Sequence, residues 1–310
     1  MRTTIINILC ILLILLCLSG FVSSPMALIL GFLFTLFLGK PFEKFIGQTV
    51  QYLLKISVVG LGLGMYLMET LNTGKEGFTL TILTISATLI LGFFLAKILK
   101  IEKRLGHLIS SGTSICGGSA IAAVSPVIKA NSKIISLALG VVFFLNSIAL
   151  FIFPAIGHFF HMTQHQFGLW AAVAIHDTSS VVGAALEYGE ESLRVATTVK
   201  LARTLWIIPV SFISMFIFKN KEGRISIPWF ILFFIVAILM NTFFNLPAVL
   251  TQSITGISKR LLVVTLFLVG TSLSIKDIKQ TGARPFVFGI ILWIFISVGS
   301  LLFILDIAVK

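Results

Sequence analysis

The sequence has little charge, and acidic residues are especially few. Only 11% of its 310 residues are charged, with 11 acidic residues against 23 lysines and arginines. No stretch is long and polar enough for a separate soluble domain, so residues 1–310 are interpreted as one integral membrane domain. Hydrophobic residues make up 57% of the chain. This composition excludes an ordinary soluble domain and predicts an all-α polytopic membrane protein.

Cysteine is also scarce, and the three that occur, Cys10, Cys17 and Cys116, have no paired spacing. An odd count of this kind argues against a disulfide framework. Metal-ligand sets and cofactor motifs are lacking, so neither a metal nor a cofactor is expected. The net charge of +12 could suggest nucleic acid. However, the basic residues stand at the ends of apolar runs, which is typical of membrane topology, and no nucleic-acid partner is expected.

Long apolar runs predict about 9–11 membrane-spanning helices. Two further segments, about 106–129 and 166–187, have membrane length but are rich in Gly, Ser and Thr. They predict helices that are interrupted within the membrane, or re-entrant hairpins that enter from opposite faces. The apolar runs lie near residues 4–20, 25–39, 45–67, 78–99, 134–156, 192–218, 227–245, 248–275 and 285–307.

The distribution of basic residues predicts the orientation. The richest basic loop is Lys97–His107, whereas the loop around Glu187 and Glu191 is acidic. Because cytoplasmic loops carry an excess of lysine and arginine, the N-terminus is expected in the cytoplasm. The segment Ile5–Leu18 also resembles a secretory signal. We favour an uncleaved first helix, because the next apolar run follows almost at once.

A weak internal repeat supports a transporter-like architecture. Leu61–Phe78 aligns with Val269–Phe286, with identities that include Gly62/Gly270 and Thr73/Thr281. The predicted topology places the two copies on opposite sides of the membrane. Such inverted repeats are common in secondary transporters.

The first polar motif, Ser110–Pro126, predicts a broken helix. Glycines lower its helix propensity, and Ser119 is expected to cap a half-helix that starts at Ala120. The N–H groups of such a helix start suit an anion. The alternative is a packing surface of small residues at a helix crossing. Its candidate substrate-binding residues are Thr113, Ser114, Gly117, Gly118 and Ser119.

The second polar motif contains His176, Asp177, Thr178 and Ser179, followed by an apolar stretch. Asp177 and the hydroxyl residues after it form a strong N-cap sequence, which again predicts a helix start inside an apolar segment. Thr178 and Ser179 are candidate substrate ligands. His176 and Asp177 are candidate coupling residues, since histidine titrates near neutral pH. Alternatively, Asp177 is only the cap and His176 is a hydrogen-bonded core residue.

Two basic residues lie deep in a predicted membrane helix. If that helix enters near Glu191, Lys200 lies about 14 Å and Arg203 about 18 Å from its start, close to the centre of a bilayer. Ionisable groups at this depth usually face a cavity, a partner or a substrate path. Lys200 and Arg203 are therefore candidate anion ligands. The alternative is a buried salt bridge to Asp177.

Three motifs carry a family resemblance: GTSICGGSAIAA at 112–123, HDTSSVVGAA at 176–185 and VKLARTLWIIP at 199–209. In order and spacing they resemble the bacterial conserved-hypothetical membrane protein family, which is also named for sulfate export. This resemblance implies a multi-pass carrier of the bacterial inner membrane, suspected of moving sulfate or a related small anion. The residues Asp177–Ser180 make this chain richer in hydroxyl groups than the family pattern.

The sequence therefore predicts a secondary carrier of a small anion, with proton coupling as an open option and with an elevator-like motion that rests on fold analogy alone. Its partners would be the anion, the lipid bilayer and, as an open option, a second copy of the chain. A sodium-coupled carrier with Asp177 as cation ligand is one alternative. A channel or sensor is another. An intramembrane enzyme using His176 with Ser114 or Cys116 is less favoured, and no enzymatic activity is expected.

Overall fold

The computed structural model describes residues 2–39, 41–42, 46–219, 229–244, 246–272 and 282–309, and these ranges are helical with no strand. Five helical stretches in them are long and apolar enough to cross a membrane, and shorter apolar helices accompany them. The predicted all-α polytopic fold is confirmed. The five stretches are Leu67–Ile98, Ser132–Phe159, Glu190–Ile217, Ala248–Ser272 and Ala283–Leu305.

The helices follow the predicted apolar runs, and both polar segments are interrupted. The first seven are α1 (Arg2–Leu18), α2 (Ser24–Leu38), α3 (Ile46–Gly62), α4 (Leu67–Ile98), α5 (Lys103–Ser114), α6 (Gly118–Val127) and α7 (Ser132–Phe159). The others are α8 (Gln164–Ala174), α9 (Thr178–Tyr188), α10 (Glu190–Thr204), α11 (Ile207–Ile217), α12 (Trp229–Phe244), α13 (Ala248–Ser272) and α14 (Ala283–Val309).

The start of one helix differs from the prediction, because polar residues interrupt the apolar pattern in its first turns. Helix α4 begins at Leu67 rather than near residue 78. Its first turns carry Glu69 and Glu76, whose carboxylates lie 3.2 Å from Arg194 Nε and 2.7 Å from His165 Nε2. These turns are held by ion pairs rather than by apolar burial, so hydropathy alone does not detect them.

The predicted helix 192–218 is also divided, into α10 and α11. Proline has no N–H to donate and its ring crowds the preceding turn. Just before Pro209 the chain passes through tight turns, in which Trp206 N donates to Arg203 O at 3.0 Å. The division follows from this proline.

Five helices form what we call the scaffold bundle: α1, α2, α3, α12 and α13. Its tightest contact is between α2 and α13, where Gly31 faces Gly270. A Cβ on Gly31 would overlap Phe267 O, and one on Gly270 would overlap Leu28 O. The two backbones therefore touch, and only glycine allows this approach.

The remaining helices, α4–α11 and α14, form the core bundle, and both polar segments in it are re-entrant hairpins. In hairpin 1 (α5 and α6), Arg104 Nε donates to Ile128 O at 3.0 Å, so the chain returns to its starting level. In hairpin 2 (α8 and α9), the ring of Tyr188 stacks on Phe167 with centroids 3.9 Å apart. This excludes the alternative of two broken helices that cross the membrane.

The hairpins enter the core bundle from opposite ends. The base of hairpin 1 contacts the end of α11, where His107 Nε2 lies 2.7 Å from Ser214 Oγ. The base of hairpin 2 contacts the start of α10, where Glu191 N donates to Gln164 Oε1 at 3.0 Å. Since α10 and α11 run between the two bases, the tips point toward each other. Part of the second repeat copy, residues 273–281, lies outside the described residues, so the internal repeat stays a prediction.

Candidate functional site

Lys200 stabilises the break of hairpin 2. Its side chain is fully buried, and Nζ donates to Ile175 O at 2.7 Å and to Ala172 O at 3.2 Å. These carbonyls belong to the last turn of α8 and the residue after it, where a helix leaves acceptors unpaired and carries partial negative charge. Trp293 Nε1 donates to a further carbonyl of this turn, that of Ala174, at 3.2 Å.

The other side of this break is held by Asn146 of α7. Its Oδ1 accepts from His176 N at 2.9 Å and from Asp177 N at 3.2 Å. The Asp177 carboxylate then accepts from Ser179 N at 3.1 Å. Asp177 is therefore the N-cap of α9, as predicted. His176 is fully buried, and neither of its ring nitrogens has a hydrogen-bond partner within the described ranges.

The break of hairpin 1 is made by glycine. Gly117 is the N-cap of α6, with φ 62° and ψ −123°, a conformation that a side chain makes costly. Helix α6 therefore begins at Gly118, not at Ala120, and no side chain caps it. The predicted capping role of Ser119 is wrong, because the turn at Gly117 starts the helix two residues earlier than a cap at Ser119 requires.

Arg203 occupies the equivalent place behind hairpin 1. Its fully buried guanidinium donates from Nε to Ser114 O at 2.8 Å and from Nη1 to Thr84 Oγ1 at 2.9 Å. Nη2 is buried and has no partner in the described part of the chain. Neither Lys200 nor Arg203 forms the alternative salt bridge to Asp177, since both bind carbonyl groups instead.

Beside the two tips lies a cavity of about 850 Å³ between the core and scaffold bundles. Hairpin 1 contributes Gly118 and Ser119 to its lining, hairpin 2 contributes Thr178, and α10 contributes Thr204. Ser119 is exposed to it. Three of the predicted substrate-binding residues thus meet at one cavity.

The other predicted residues lie around or behind the tips and do not line this cavity. They are Thr113, Ser114, Gly117, Ser179, Lys200 and Arg203, together with the predicted coupling residues His176 and Asp177. All of these except Asp177 are buried. Lys200 and Arg203 therefore hold the hairpins in shape and place positive charge next to the tips.

The opposite wall of the cavity contains residues that sequence reasoning missed. Lys55 and Gln51 line it from α3, and an aromatic surface that includes Trp229 and Phe233 lines it from α12. The sequence does contain a feature that indicates Lys55 as a candidate, namely its depth in a predicted membrane helix. Lys55 follows nine residues after Ile46, about 14 Å along α3, so the argument from depth that selected Lys200 applies to it equally.

Comparisons with known proteins agree with this architecture. The family described as conserved hypothetical protein 698 matches residues 2–289. A UPF0324 membrane protein of Bacteroides thetaiotaomicron is 53% identical over 92% of this chain and 87% of its own length. Relatives with the same designation from Photobacterium profundum and Vibrio parahaemolyticus are each 52% identical, over 94% and 93% of this chain and 89% and 94% of their own lengths. No solved structure matches the chain. With a match over nearly its whole length, the chain belongs to the conserved hypothetical protein 698 family of membrane proteins.

Proposed function

We propose that this protein is a secondary carrier of small anions, sulfate-like or related, in the bacterial inner membrane, with its N-terminus in the cytoplasm. One observation carries the proposal. Two re-entrant hairpins enter from opposite ends of the core bundle, and both present their tips to one cavity shared with the scaffold bundle. Interrupted helices that meet near the membrane centre are a recurrent way to build a solute site in secondary transporters.

The charges around the tips favour an anion. Among the described residues, the lining of the cavity includes Lys55 but no acidic residue. Behind the tips, Lys200 and Arg203 add two buried cations whose bound partners are neutral carbonyl and hydroxyl groups. The first turns of α6 and α9 add the partial positive charge of helix N-termini. A negatively charged solute would neutralise this field.

The division into two bundles supports an elevator-like motion. Core and scaffold bundles touch where Leu266 of α13 packs at Gly183 of α9. Over other parts of their interface two cavities lie between them, the one of about 850 Å³ and a second one of about 450 Å³ between α12 and helices α4 and α10. An interface that is partly opened by cavities would let the core bundle slide as a unit against the scaffold. Such movement would expose the hairpin tips to each side in turn.

We propose His176 and Asp177 as the coupling residues, and the same geometry supports this choice. His176 is buried between the hairpin break and Asn146, with both ring nitrogens free of partners in the described chain. Asp177 stands at the tip of hairpin 2. A proton taken up on either residue would change the charge next to the bound anion. Proton coupling is therefore our first choice, and sodium coupling through Asp177 is the alternative.

The test is counterflow exchange of labelled sulfate, thiosulfate and small sulfonates in proteoliposomes, with and without pH and sodium gradients. We expect saturable anion exchange that a pH gradient drives and that sodium replacement leaves unchanged. Arg203→Gln and Lys200→Gln variants that still fold should lose it. Full transport and binding in both variants would contradict the role of these cations. Single-channel currents, or product formation without solute movement, would contradict the carrier itself.

A further inference from the structure

The charge of Lys55 has no acidic partner among the residues that the structure describes. Its side chain is half-buried on α3, and Nζ lies over the ring of Tyr52, 5.6 Å from the ring centroid. Within the described ranges it forms no hydrogen bond and no ion pair. A lysine about 14 Å along a membrane helix is costly unless it faces water or an opposite charge. Lys200 and Arg203 differ, because Lys200 Nζ already binds two carbonyl oxygens, and Nε and Nη1 of Arg203 already bind Ser114 O and Thr84 Oγ1.

Across the cavity, the hairpin tips offer hydroxyl groups that are also free. Thr178 is 5% exposed and lines the cavity, yet its hydroxyl has no partner in the described part of the chain. Ser119 is exposed to the same space. The two hydroxyls and the ammonium group of Lys55 thus form a set of donors around one space, and no acidic residue is among the lining residues that the structure describes.

Apart from Gln51 and Thr204, the other side chains of the lining are apolar. Trp229, Phe230 and Phe233 of α12 form one wall, and aliphatic residues of α3 continue it. The volume of about 850 Å³ falls in the range of about 300–1,000 Å³ that drug-sized organic ligands occupy. A bare tetrahedral oxyanion would leave most of this surface in contact with water.

We propose that the cavity binds an organic anion with an apolar body, such as an alkyl sulfonate or a medium-chain carboxylate. Lys55 and the hydroxyls of Ser119 and Thr178 bind its charged group, and the aromatic surface of α12 binds its apolar part. This inference rests on the proposed carrier function, because it names the substrate class of the same site. It places the direct charge contact on Lys55 and leaves Lys200 and Arg203 as positioning residues.

The experiment measures binding of sulfate, methanesulfonate and hexanesulfonate to the full chain in lipid nanodiscs by calorimetry. We expect hexanesulfonate to bind at least tenfold more tightly than the other two anions. Lys55→Gln should weaken both sulfonates at least tenfold, whereas Lys55→Arg should stay within about threefold. Lys133→Gln, an exposed lysine at the start of α7, is the matched control and should bind as the unmodified chain does.

A second variant tests the apolar part independently of Lys55. Ala122 is exposed to the cavity on α6, so Ala122→Phe fills space without removing charge. It should weaken hexanesulfonate several-fold more than methanesulfonate. Equal affinities for sulfate and hexanesulfonate, no measurable sulfonate binding, or unchanged binding by Lys55→Gln would each overturn the inference.

Flux measurements separate this inference from the proposed function. If the sulfonates bind as expected but no anion crosses proteoliposome membranes, the carrier function fails and the binding site stands. If sulfate exchange is robust and Lys55→Gln leaves it intact, the carrier function stands. In that case Lys55 only extends toward the membrane surface, and the inference fails.

Discussion

Gly117 lies directly against Asp177, so the two hairpins that enter from opposite ends meet at their breaks. A Cβ on Gly117 would lie 3.2 Å from Asp177 Cα and 3.3 Å from its Cβ. With contacts this short, one of the two segments would have to shift by a few tenths of an ångström. Gly117 also has a positive φ of 62°, so contact and conformation both demand glycine at this position. The geometry of the tips therefore depends on the absence of a Cβ at Gly117.

The first prediction concerns this contact. Gly117→Ala should lower the free energy of unfolding by about 1–3 kcal/mol, the usual cost of a strained backbone conformation. The measurement is thermal unfolding in detergent, together with sulfonate binding. Gly74→Ala is the control, since a Cβ there meets no described atom within 4 Å and alanine favours a helix interior. Equal stability of the two variants would contradict the required approach of the tips.

The second prediction separates the two roles of Asp177. Asn caps a helix about as well as Asp does, so Asp177→Asn should fold with nearly unchanged stability. Asp177→Ala should lose about 1 kcal/mol with the cap. If Asp177 is a coupling residue, both variants lose the dependence of transport on a proton or sodium gradient. Gradient-driven transport by Asp177→Asn would remove Asp177 from coupling and leave it as the cap.

The sequence predicted both interruptions because they depend on local chemistry. A segment with few apolar residues and an Asp-Thr-Ser-Ser cap can both be recognised in the amino-acid sequence alone. Asp177 does cap α9. The start of α6 was missed because a positive φ at Gly117 leaves no trace beyond glycine itself. The choice between hairpins and crossing helices depends on distant contacts such as Arg104 with Ile128. No local pattern encodes these contacts.

The candidate site was predicted less completely than the fold, for a related reason. Lys200 and Arg203 were recognised by their depth, but their carbonyl partners in α8 and hairpin 1 come from other segments. Depth shows that a buried cation needs a partner and does not show which partner it has. Lys55 also lies deep in a predicted membrane helix. It was not predicted as a site residue because the apolar run near residues 45–67 was considered only for its length.

The third prediction tests the support behind hairpin 2. Asn146→Leu leaves the N–H groups of His176 and Asp177 without their acceptor, and each buried unsatisfied donor costs about 1–3 kcal/mol. We expect a clear fall in thermal stability and in anion exchange. Asn146→Asp keeps an acceptor oxygen and should lose less of both. The assignment is wrong if the leucine variant is as stable as the aspartate variant.

The fourth prediction concerns the planar guanidinium group of Arg203. Its Nε and Nη1 reach two acceptors, Ser114 O and Thr84 Oγ1. Lysine keeps the positive charge but cannot reproduce this planar geometry. Arg203→Lys should therefore lose about 1.5–3 kcal/mol, the value of one hydrogen bond to a charged group. Thermal unfolding checks the loss, and Thr84→Val, which removes one acceptor, serves for comparison. Stability equal to that of the unmodified chain would show that charge alone is enough.

The fifth prediction tests movement between the bundles through an ion pair that joins them. Lys259 Nζ of α13, in the scaffold, lies 2.5 Å from Glu190 Oε1 at the start of α10, in the core. Cysteines at both positions, joined by a short cleavable bis-maleimide linker, would fix one bundle to the other. We expect cross-linking to stop anion exchange while binding persists, and cleavage to restore exchange. The native cysteines are all buried and should not compete for the reagent.

A matched pair within the core bundle controls for the chemistry of the linker. Glu69 of α4 and Arg194 of α10 also form an ion pair, at 3.2 Å, but both move with the core in the proposed motion. Cross-linking cysteines at these two positions should therefore leave exchange intact. If both cross-links permit transport, the bundles need not slide past each other and the elevator-like motion is wrong. If both stop it, rearrangement within the core bundle is required instead.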